Sequence, residues 1–347
     1  MWHPDEFLEK LYRKLETGRS KRVETTEQKQ ARLRRRLREA LGFVDHLEEW
    51  QAPLEPVLLE RAERDDFVRE RVEYSTSDGL RVPAYVLIPR GAEPGRTPAV
   101  LAWHGHGYGS REAVGLLPDG SELSGPPGIH ANFALELVRR GLVVLVPEIV
   151  GFGDRKLRRD VERDPKAGNS CFSIASELLL AGSTIAGLRV FEAMRAADYL
   201  TARPEVDPLR IGNMGFSGGG MVASLSAALD ERIRASVICG YSNTYKGSIL
   251  ARPHCLDNYI PGILTEAEMP DLLGLIAPRA LFIESGTFDG LFPVERVKEA
   301  IGQVAQTYGA LNAEARFTFD LFEGKHEISG RHSYDWLAKM LRQEPAV

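Results

Sequence analysis

Long apolar runs and paired cysteines are both missing from this chain of 347 residues. A membrane-spanning helix needs roughly 18 or more consecutive apolar residues, and no such run occurs. The first residues also lack the basic region and apolar run of a signal peptide. The three cysteines are Cys171, Cys239 and Cys255, and none forms a Cys-x-x-Cys pair. They are too few for a disulfide framework, so we expect a reducing, cytoplasmic location.

A strong charge of one sign is missing as well. The formal net charge is −5, and 43% of the residues are hydrophobic. Mild acidity does not indicate a nucleic-acid-binding protein, and the apolar content is sufficient for a sizeable core. The length fits one large domain with an appendage. We expect neither nucleic acid nor a membrane as a partner.

Residues 1–65 are predicted to form an N-terminal helical appendage. Leucines recur at helical spacing in an arginine-rich stretch, at Leu33, Leu37 and Leu41, and Gly42 ends that stretch. This pattern predicts a helix that docks its leucines on the main domain and exposes its arginines. A nucleic-acid or membrane patch is the weaker alternative because the arginine run is short and the chain is acidic. A homo-oligomer joined through these helices is a further possibility.

Residues 66–347 alternate between strand and helix patterns and form the predicted catalytic domain. An antiparallel pair is predicted over 68–75 and 80–89, and apolar runs predict buried strands further on. These later strands fall near 99–103, 142–147, 209–214, 234–239, 279–284 and 315–322, with helices near 131–140, 184–201, 294–307 and 331–342. The alternation predicts an α/β fold with a mostly parallel sheet between helices. Functional residues should directly follow strands, since ligands bind at the carboxyl ends of such strands.

A serine motif lies between a predicted strand and a predicted helix. The Gly-x-Ser-x-Gly pattern is present as Gly215-Phe216-Ser217-Gly218-Gly219. A serine at such a sharp turn presents its hydroxyl clear of the backbone, and glycines are needed on either side because larger side chains would collide. The pattern alone also fits an ordinary glycine-rich turn, so the flanking strand and helix carry the argument. Ser217 is the candidate nucleophile.

A glycine-rich loop with two histidines follows the predicted strand at 99–103. His104 and His106 could ligate a metal, but the acid-and-histidine continuation of such metal motifs is absent, so no metal is predicted. The loop also lacks the Gly-x-Gly-x-x-Gly spacing of a dinucleotide site. We favour an oxyanion loop, in which the backbone N–H groups of His106 and Gly218 stabilise a tetrahedral intermediate.

A serine nucleophile needs a base and an orienting acid. His326 lies in a loop just past a late strand, whereas its close rival His332 falls in the predicted final helix. Asp289 follows the preceding strand, although an aspartate there could simply shape a turn; Glu284, at the edge of that strand, is the rival acid. The order Ser217, Asp289, His326 is typical of one hydrolase fold. The remaining histidines are in less suitable positions: His3, His46, His130 and His254.

At this point the chain resembles the α/β-hydrolase superfamily, and more narrowly the dienelactone-hydrolase and acetyl-xylan-esterase-like branch, related to prolyl-oligopeptidase-type catalytic domains. The resemblance covers roughly residues 66–347. It rests on His104-Gly105-His106-Gly107, Gly215-Phe216-Ser217-Gly218-Gly219, Gly286-Thr287-Phe288-Asp289 and Gly324-Lys325-His326-Glu327. It implies an acyl-enzyme mechanism with Ser217, His326 and Asp289 as the triad. Dienelactone hydrolases use a cysteine nucleophile, so Ser217 argues against that substrate.

Two long segments, 152–182 and 240–275, are predicted insertions beside the site. Each follows a strand, and long loops on that side are often lids or specificity elements, although plain packing is an equal alternative.

These patterns predict a serine carboxylesterase or deacetylase acting on a small-to-medium ester, without a metal or organic cofactor. A prolyl-oligopeptidase-type peptidase is one alternative, but the N-terminal 65 residues cannot form the β-propeller of those enzymes. A non-catalytic binding module on the same fold is another, and fold alone does not exclude it.

Overall fold

The structure is a computed structural model that describes residues 2–42 and 49–343, so His46 lies outside the described residues. The strands are β1 Val57–Glu63, β2 Phe67–Ser77, β3 Leu80–Pro89, β4 Thr97–Trp103, β5 Val143–Pro147, β6 Val206–Phe216, β7 Ile233–Cys239, β8 Ala280–Gly286 and β9 Phe317–Phe322. The helices are α1 Asp5–Ser20, α2 Thr26–Leu41, α3 Ser110–Ala113, α4 Phe133–Arg139, α5 Arg158–Arg163, α6 Cys171–Leu180, α7 Ile185–Thr201, α8 Gly218–Leu229, α9 Ile263–Glu266, α10 Met269–Leu273, α11 Val294–Ala310 and α12 Ser333–Arg342.

The strands form one sheet in the order β1-β2-β3-β5-β4-β6-β7-β8-β9. The first three strands and the β3–β5 pair are antiparallel, and every pair from β5 to β9 along the sheet is parallel. The predicted antiparallel hairpin and mostly parallel sheet are therefore confirmed. All residues of β4, β5 and β8 are buried, as expected for strands covered by helices on both faces.

Helices cover both faces of the sheet and create two apolar cores. Helices α4 and α12 pack on one face, while α7, α8 and α11 pack on the other. The core on the face of α7, α8 and α11 is the larger one, and it extends to α2. Because the parallel strands all run in one direction, their carboxyl ends and the loops that follow them meet at one edge of the sheet.

Helix α2 is a part of the larger core. The hydroxyl of Thr25 accepts from the backbone N–H of Gln28, whose side chain accepts from the N–H of Thr25, and this capping box starts the helix. The leucines predicted to dock are buried, at 2% exposure or less for Leu33, Leu37 and Leu41. The docking prediction is therefore confirmed. Burial of the three leucine side chains stabilises the contact between α2 and the main domain.

The arginines of α2 do not form one free basic patch. Arg32 pairs with Glu24 and Glu266, and Arg34 donates to the carbonyl oxygens of Ala228 and Leu275. These bonds tie the helix to the main domain.

A purely helical segment up to residue 65 is a wrong prediction. Val57–Glu63 forms the edge strand β1, which pairs antiparallel with β2. Its residues are exposed or half-exposed, so the segment lacks the alternation that marks a half-buried strand. Pairing with β2, the next strand in the chain, supplies its hydrogen bonds, and a strand without buried residues leaves little trace in the apolar pattern.

Within the described residues, no single helix combines the length and the apolar character needed to cross a bilayer.

Candidate active site

Ser217 occupies a strained turn between β6 and α8. Its backbone has φ 54° and ψ −120°, a region that non-glycine residues rarely adopt. The N–H of Ser217 donates to the carbonyl of Cys239 on β7, and its carbonyl accepts from Met221 in α8. The turn is thus fixed at both ends, and the strand, turn and helix predicted around Ser217 are present.

The glycines beside Ser217 have steric reasons. A Cβ on Gly215 would lie 2.1 Å from the carbonyl oxygen of Gly219. A Cβ on Gly219 would lie 2.2 Å from the carbonyl oxygen of Trp103 on β4. Both obstacles are backbone atoms that cannot rotate away, so the collision inferred from the motif exists in the fold.

The structure brings the three predicted side chains together. Nε2 of His326 lies 2.9 Å from Oγ of Ser217, and Nδ1 of His326 lies 2.7 Å from Oδ2 of Asp289. The other oxygen of Asp289 accepts from the backbone N–H groups of Leu291 and Phe292. These bonds leave Oδ2 directed at the imidazole, an arrangement that favours the tautomer with a proton on Nδ1 and a lone pair facing the serine.

Aromatic rings hold the imidazole of His326 from two sides. The ring of Phe292 stacks on it at 5.7 Å with an interplanar angle of 14°, and Phe216 lies 4.8 Å away. Phe216 precedes the serine and Phe292 follows the aspartate. The same loops therefore supply both the hydrogen bonds and the packing of the base.

Glu284, the rival acid, has a different position. Its carboxylate accepts from the backbone N–H groups of Ser329 and Gly330 and from the hydroxyl of Ser333. Burial raises the pKa of this carboxyl, although the hydrogen bonds lower it in part. Glu284 therefore fastens the loop that follows His326, whereas Asp289 contacts the imidazole itself.

Among the described residues, no histidine other than His326 forms a hydrogen bond with Ser217. His332 precedes α12, and His254 faces Phe292 with its ring edge and lies 3.3 Å from the hydroxyl of Ser248. His130 is buried, and its Nε2 accepts from the backbone N–H of Gly105 at 2.8 Å. His130 was not singled out in the sequence because its partner lies 25 residues away.

The histidine-containing loop after β4 is held by buried polar groups. Nε2 of His104 accepts from the N–H of Ile149, and its Nδ1 faces the carbonyl of Gly105 at 2.9 Å. Nδ1 of His130 lies 3.0 Å from Oε1 of Glu112. His104 uses both nitrogens within the protein fold, so it is a structural residue and the two histidines of the motif do not act as a pair.

The imidazole of His106 lies beside Gly218, and the oxyanion role of the backbone N–H groups of these two residues stays a prediction. A Cβ on Gly218 would be 3.0 Å from Nδ1 of His106. Gly218 is the first residue of α8, so its N–H has no acceptor within the helix and is available to a ligand. Burial lowers the pKa of the His106 imidazole, which favours its neutral form.

The predicted insertions meet next to this loop, where one buried arginine contacts both. The guanidinium of Arg189 in α7 donates to Asp257, to Sγ of Cys171 at 3.1 Å and to the carbonyl of Val150. Burial works against the charge of Arg189, but Asp257, Cys171 and Cys255 together outweigh it and raise the arginine pKa. Cys171 belongs to the first insertion and Asp257 to the second, so both border the site. A lid function for them stays a prediction.

The sheet order, the helices on both faces and the serine at the β6–α8 turn define an α/β-hydrolase. A model of the Abhydrolase family matches residues 6–318, and the chain belongs to that family. The match begins within α1 and ends within β9, so it includes the N-terminal helices and the sheet from β1 to β8. A candidate hydrolase of Bacillus subtilis (strain 168), YtaP, is 30% identical over 267 residues, which are 75% of this chain and 83% of that protein.

Solved structures with the same fold include several esterases. A candidate acetyl xylan esterase from Bacteroides fragilis NCTC 9343 is 18% identical, with a TM-score of 0.70 over 86% of this chain and 76% of that one. Acetyl xylan esterase 1 from Thermoanaerobacterium sp. JW/SL YS485 is also 18% identical, with a TM-score of 0.56 over 90% and 92%. At these identities the similarity establishes the fold, and the predicted α/β-hydrolase fold is confirmed.

Replacing Gly219 with alanine should destabilise the protein by roughly 3 kcal/mol, because the new methyl group meets the backbone of β4. Gly302→Ala is the matched control: Gly302 lies within α11 with open space around its Cβ position, and alanine there should stabilise by about 0.5–1 kcal/mol. Urea unfolding of both variants checks the expectation. Equal midpoints for wild type and Gly219→Ala would show that the turn is not sterically closed.

Proposed function

We propose that this protein is a serine esterase in which Ser217 attacks the ester carbonyl and His326 and Asp289 activate it. The observation that carries the proposal is the continuous hydrogen-bonded chain from Oγ of Ser217 through His326 to Oδ2 of Asp289. A serine hydroxyl is a weak nucleophile unless a base accepts its proton, and this chain supplies the base and its orienting acid.

In the first half of the reaction, His326 takes the proton of Ser217 as Oγ bonds to the carbonyl carbon. The carbonyl oxygen becomes an oxyanion, which the backbone N–H groups of His106 and Gly218 stabilise; each such donor contributes about 3 kcal/mol. His326 then gives the proton to the alcohol oxygen, the ester C–O bond breaks, and an acyl group remains on Ser217.

In the second half, water replaces the alcohol. His326 removes a proton from the water, the hydroxide oxygen bonds to the acyl carbon, and the collapse of the intermediate returns the proton to Oγ of Ser217. The carboxylate of Asp289 stabilises the imidazolium in both halves. Every proton moves between serine, histidine, water and the leaving groups, so these steps need neither a metal nor an organic cofactor.

The substrate side of the site supports an ester with a small acyl group and a polar alcohol. Only 8% of Ser217 is exposed, so little room remains directly above the nucleophile. Next to His106 a cavity of about 810 Å³ extends along the first insertion. Its lining combines polar and apolar groups, and the polar side chains include Arg111, Asp154, Lys156 and Asn169. The name of one structural neighbour, acetyl xylan esterase, agrees with a small acyl group on a carbohydrate alcohol.

The peptidase and binding-module alternatives have less support. The described N-terminal residues form two helices and the edge strand β1, and none of these is a propeller blade. A binding module would not need the complete chain of hydrogen bonds at Ser217. A cytoplasmic location and a homo-oligomer through the N-terminal helices both stay predictions.

Ser217→Ala should lower ester turnover on the order of 10⁴-fold or more, because the variant lacks the oxygen that forms the acyl-enzyme. Turnover of a chromogenic acetyl ester measures the loss, and a fluorophosphonate probe should label wild type but not the variant. The control is Ser224→Ala in α8, whose hydroxyl only donates to the carbonyl of Met221. Retained turnover in Ser217→Ala would refute the proposed nucleophile.

Asp289→Asn should lower turnover on the order of 10³- to 10⁴-fold, since an amide in place of the carboxylate disfavours the productive tautomer of His326. Glu284→Gln is the comparison, because Glu284 binds the loop after His326 and does not contact the imidazole. We expect the Glu284 variant to lose far less activity at a temperature where both variants are folded. The reverse order would identify Glu284 as the orienting acid.

Profiling substrates separates an esterase from a peptidase. Because Ser217 is nearly buried, turnover should be highest for acetyl esters and fall as the acyl chain lengthens, with aminoacyl amides cleaved least. Initial rates on a series of chromogenic esters and one aminoacyl anilide provide the measurement. Faster cleavage of the anilide than of the acetyl ester would favour the peptidase.

A further inference from the structure

Two cysteines and a histidine that are distant in sequence converge at the edge of the active site. A nitrogen of His106 and the Sγ atoms of Cys171 and Cys255 all lie within 4.8 Å of one another. The three residues come from the loop after β4, the first insertion and the second insertion. None of them is needed as a side chain in the proposed esterase reaction, which uses only the backbone of His106.

We infer that His106, Cys171 and Cys255 form a binding site for a thiophilic divalent cation, with Zn²⁺ as the best match. Zn²⁺ binds well to two thiolates and one neutral imidazole, whereas cations such as Mg²⁺ prefer oxygen ligands. Three protein ligands leave one tetrahedral position for water or another small ligand.

The distances fit such a site after a small movement. With Zn–S bonds near 2.3 Å and Zn–N bonds near 2.0 Å, ligand atoms in a tetrahedron lie roughly 3.5 to 3.8 Å apart. The present separations are at most 4.8 Å, so the groups need to approach by about 1 Å. Cys171 begins α6 and Cys255 precedes a 3₁₀ turn, so neither cysteine belongs to the sheet.

The unused hydrogen-bonding capacity of His106 supports the same site. Its Nε2 is buried and has no hydrogen-bond partner among the described residues. The nearest carboxylate oxygen, on Asp257, lies 3.8 Å away and already accepts from Arg189. A buried imidazole nitrogen without a partner is energetically costly, and bonding to a metal removes that cost.

The charges around the site are compatible with the cation. Zn²⁺ and two thiolates sum to zero, and the adjacent buried pair of Arg189 and Asp257 is also neutral. The guanidinium of Arg189 touches Sγ of Cys171, a contact that stabilises a thiolate. On binding, the two thiols release their protons to the solvent as their sulfur atoms bond to the metal.

Bound zinc would connect the two insertions to the oxyanion loop. The His106 side chain lies beside Gly218, where the carbonyl of the substrate must fit, and bound zinc would prevent it from moving aside. We therefore expect zinc to slow ester cleavage. This consequence rests on the proposed function, whereas the metal site itself does not.

The test is calorimetric titration of Zn²⁺ into the reduced, metal-free, full-length protein. Wild type should bind about one zinc per chain and release protons, and Cys171→Ser and Cys255→Ser should each weaken binding at least about 100-fold. Cys239→Ala is the matched control, because Cys239 is buried in β7 and lies outside the cluster. Absence of binding to wild type, or equal loss in the control, would overturn the site.

A measurement on wild type alone guards against variants that misfold. Saturating zinc should slow alkylation of Cys171 and Cys255 by iodoacetamide, detected by peptide mass spectrometry, and leave Cys239 unchanged. Co²⁺ in place of zinc should give the charge-transfer absorption of cobalt–thiolate bonds. Unprotected cysteines and no such absorption would overturn the site even if turnover fell. Protected cysteines with unchanged turnover would refute only the inhibition.

Discussion

The closely packed turn between β6 and α8 is the constraint on which the rest of the site depends. The backbone of α8 passes so near to β4 and to the end of β6 that no Cβ fits at Gly215 or Gly219. This proximity forces Ser217 into a strained conformation and lifts its hydroxyl above the sheet. It also places the first N–H of α8 beside that hydroxyl. The turn keeps this geometry because neighbouring strands bond to it on both sides, and the buried sheet provides the rigidity.

Around this turn, buried polar groups fix loops that would otherwise be free. Glu284 holds the loop after His326, His130 holds the loop after β4, and Arg189 joins the two insertions. Paired buried charges contribute little net stability, but removal of one partner leaves the other group unpaired at a high cost in free energy. Their effect is therefore to select one arrangement of the loops over others. This selection matters because a reacting group displaced by about 1 Å can cost a hundredfold in rate.

Much of the fold could be predicted because its signals are local. Apolar runs marked the buried strands, leucine spacing marked α2, and the glycines around Ser217 marked the turn. The site was accessible for the same reason: in a parallel sheet the loops after strands gather at one edge, so Ser217, Asp289 and His326 could be selected by their position after strands. The edge strand β1 was missed because its residues are exposed and its stability comes from pairing with β2.

By itself, the sequence determined the class of fold and the identity of the candidate nucleophile and base, since these follow from periodicity and from chain order. Only the tertiary structure decided which acid reaches the imidazole. Glu284 lies within β8 and Asp289 follows that strand, and the carboxylate of Asp289 is the one that contacts His326. Only the tertiary structure placed Cys171 and Cys255 beside His106. No spacing rule in the sequence relates these residues, because they come together only when the two insertions pack against α7.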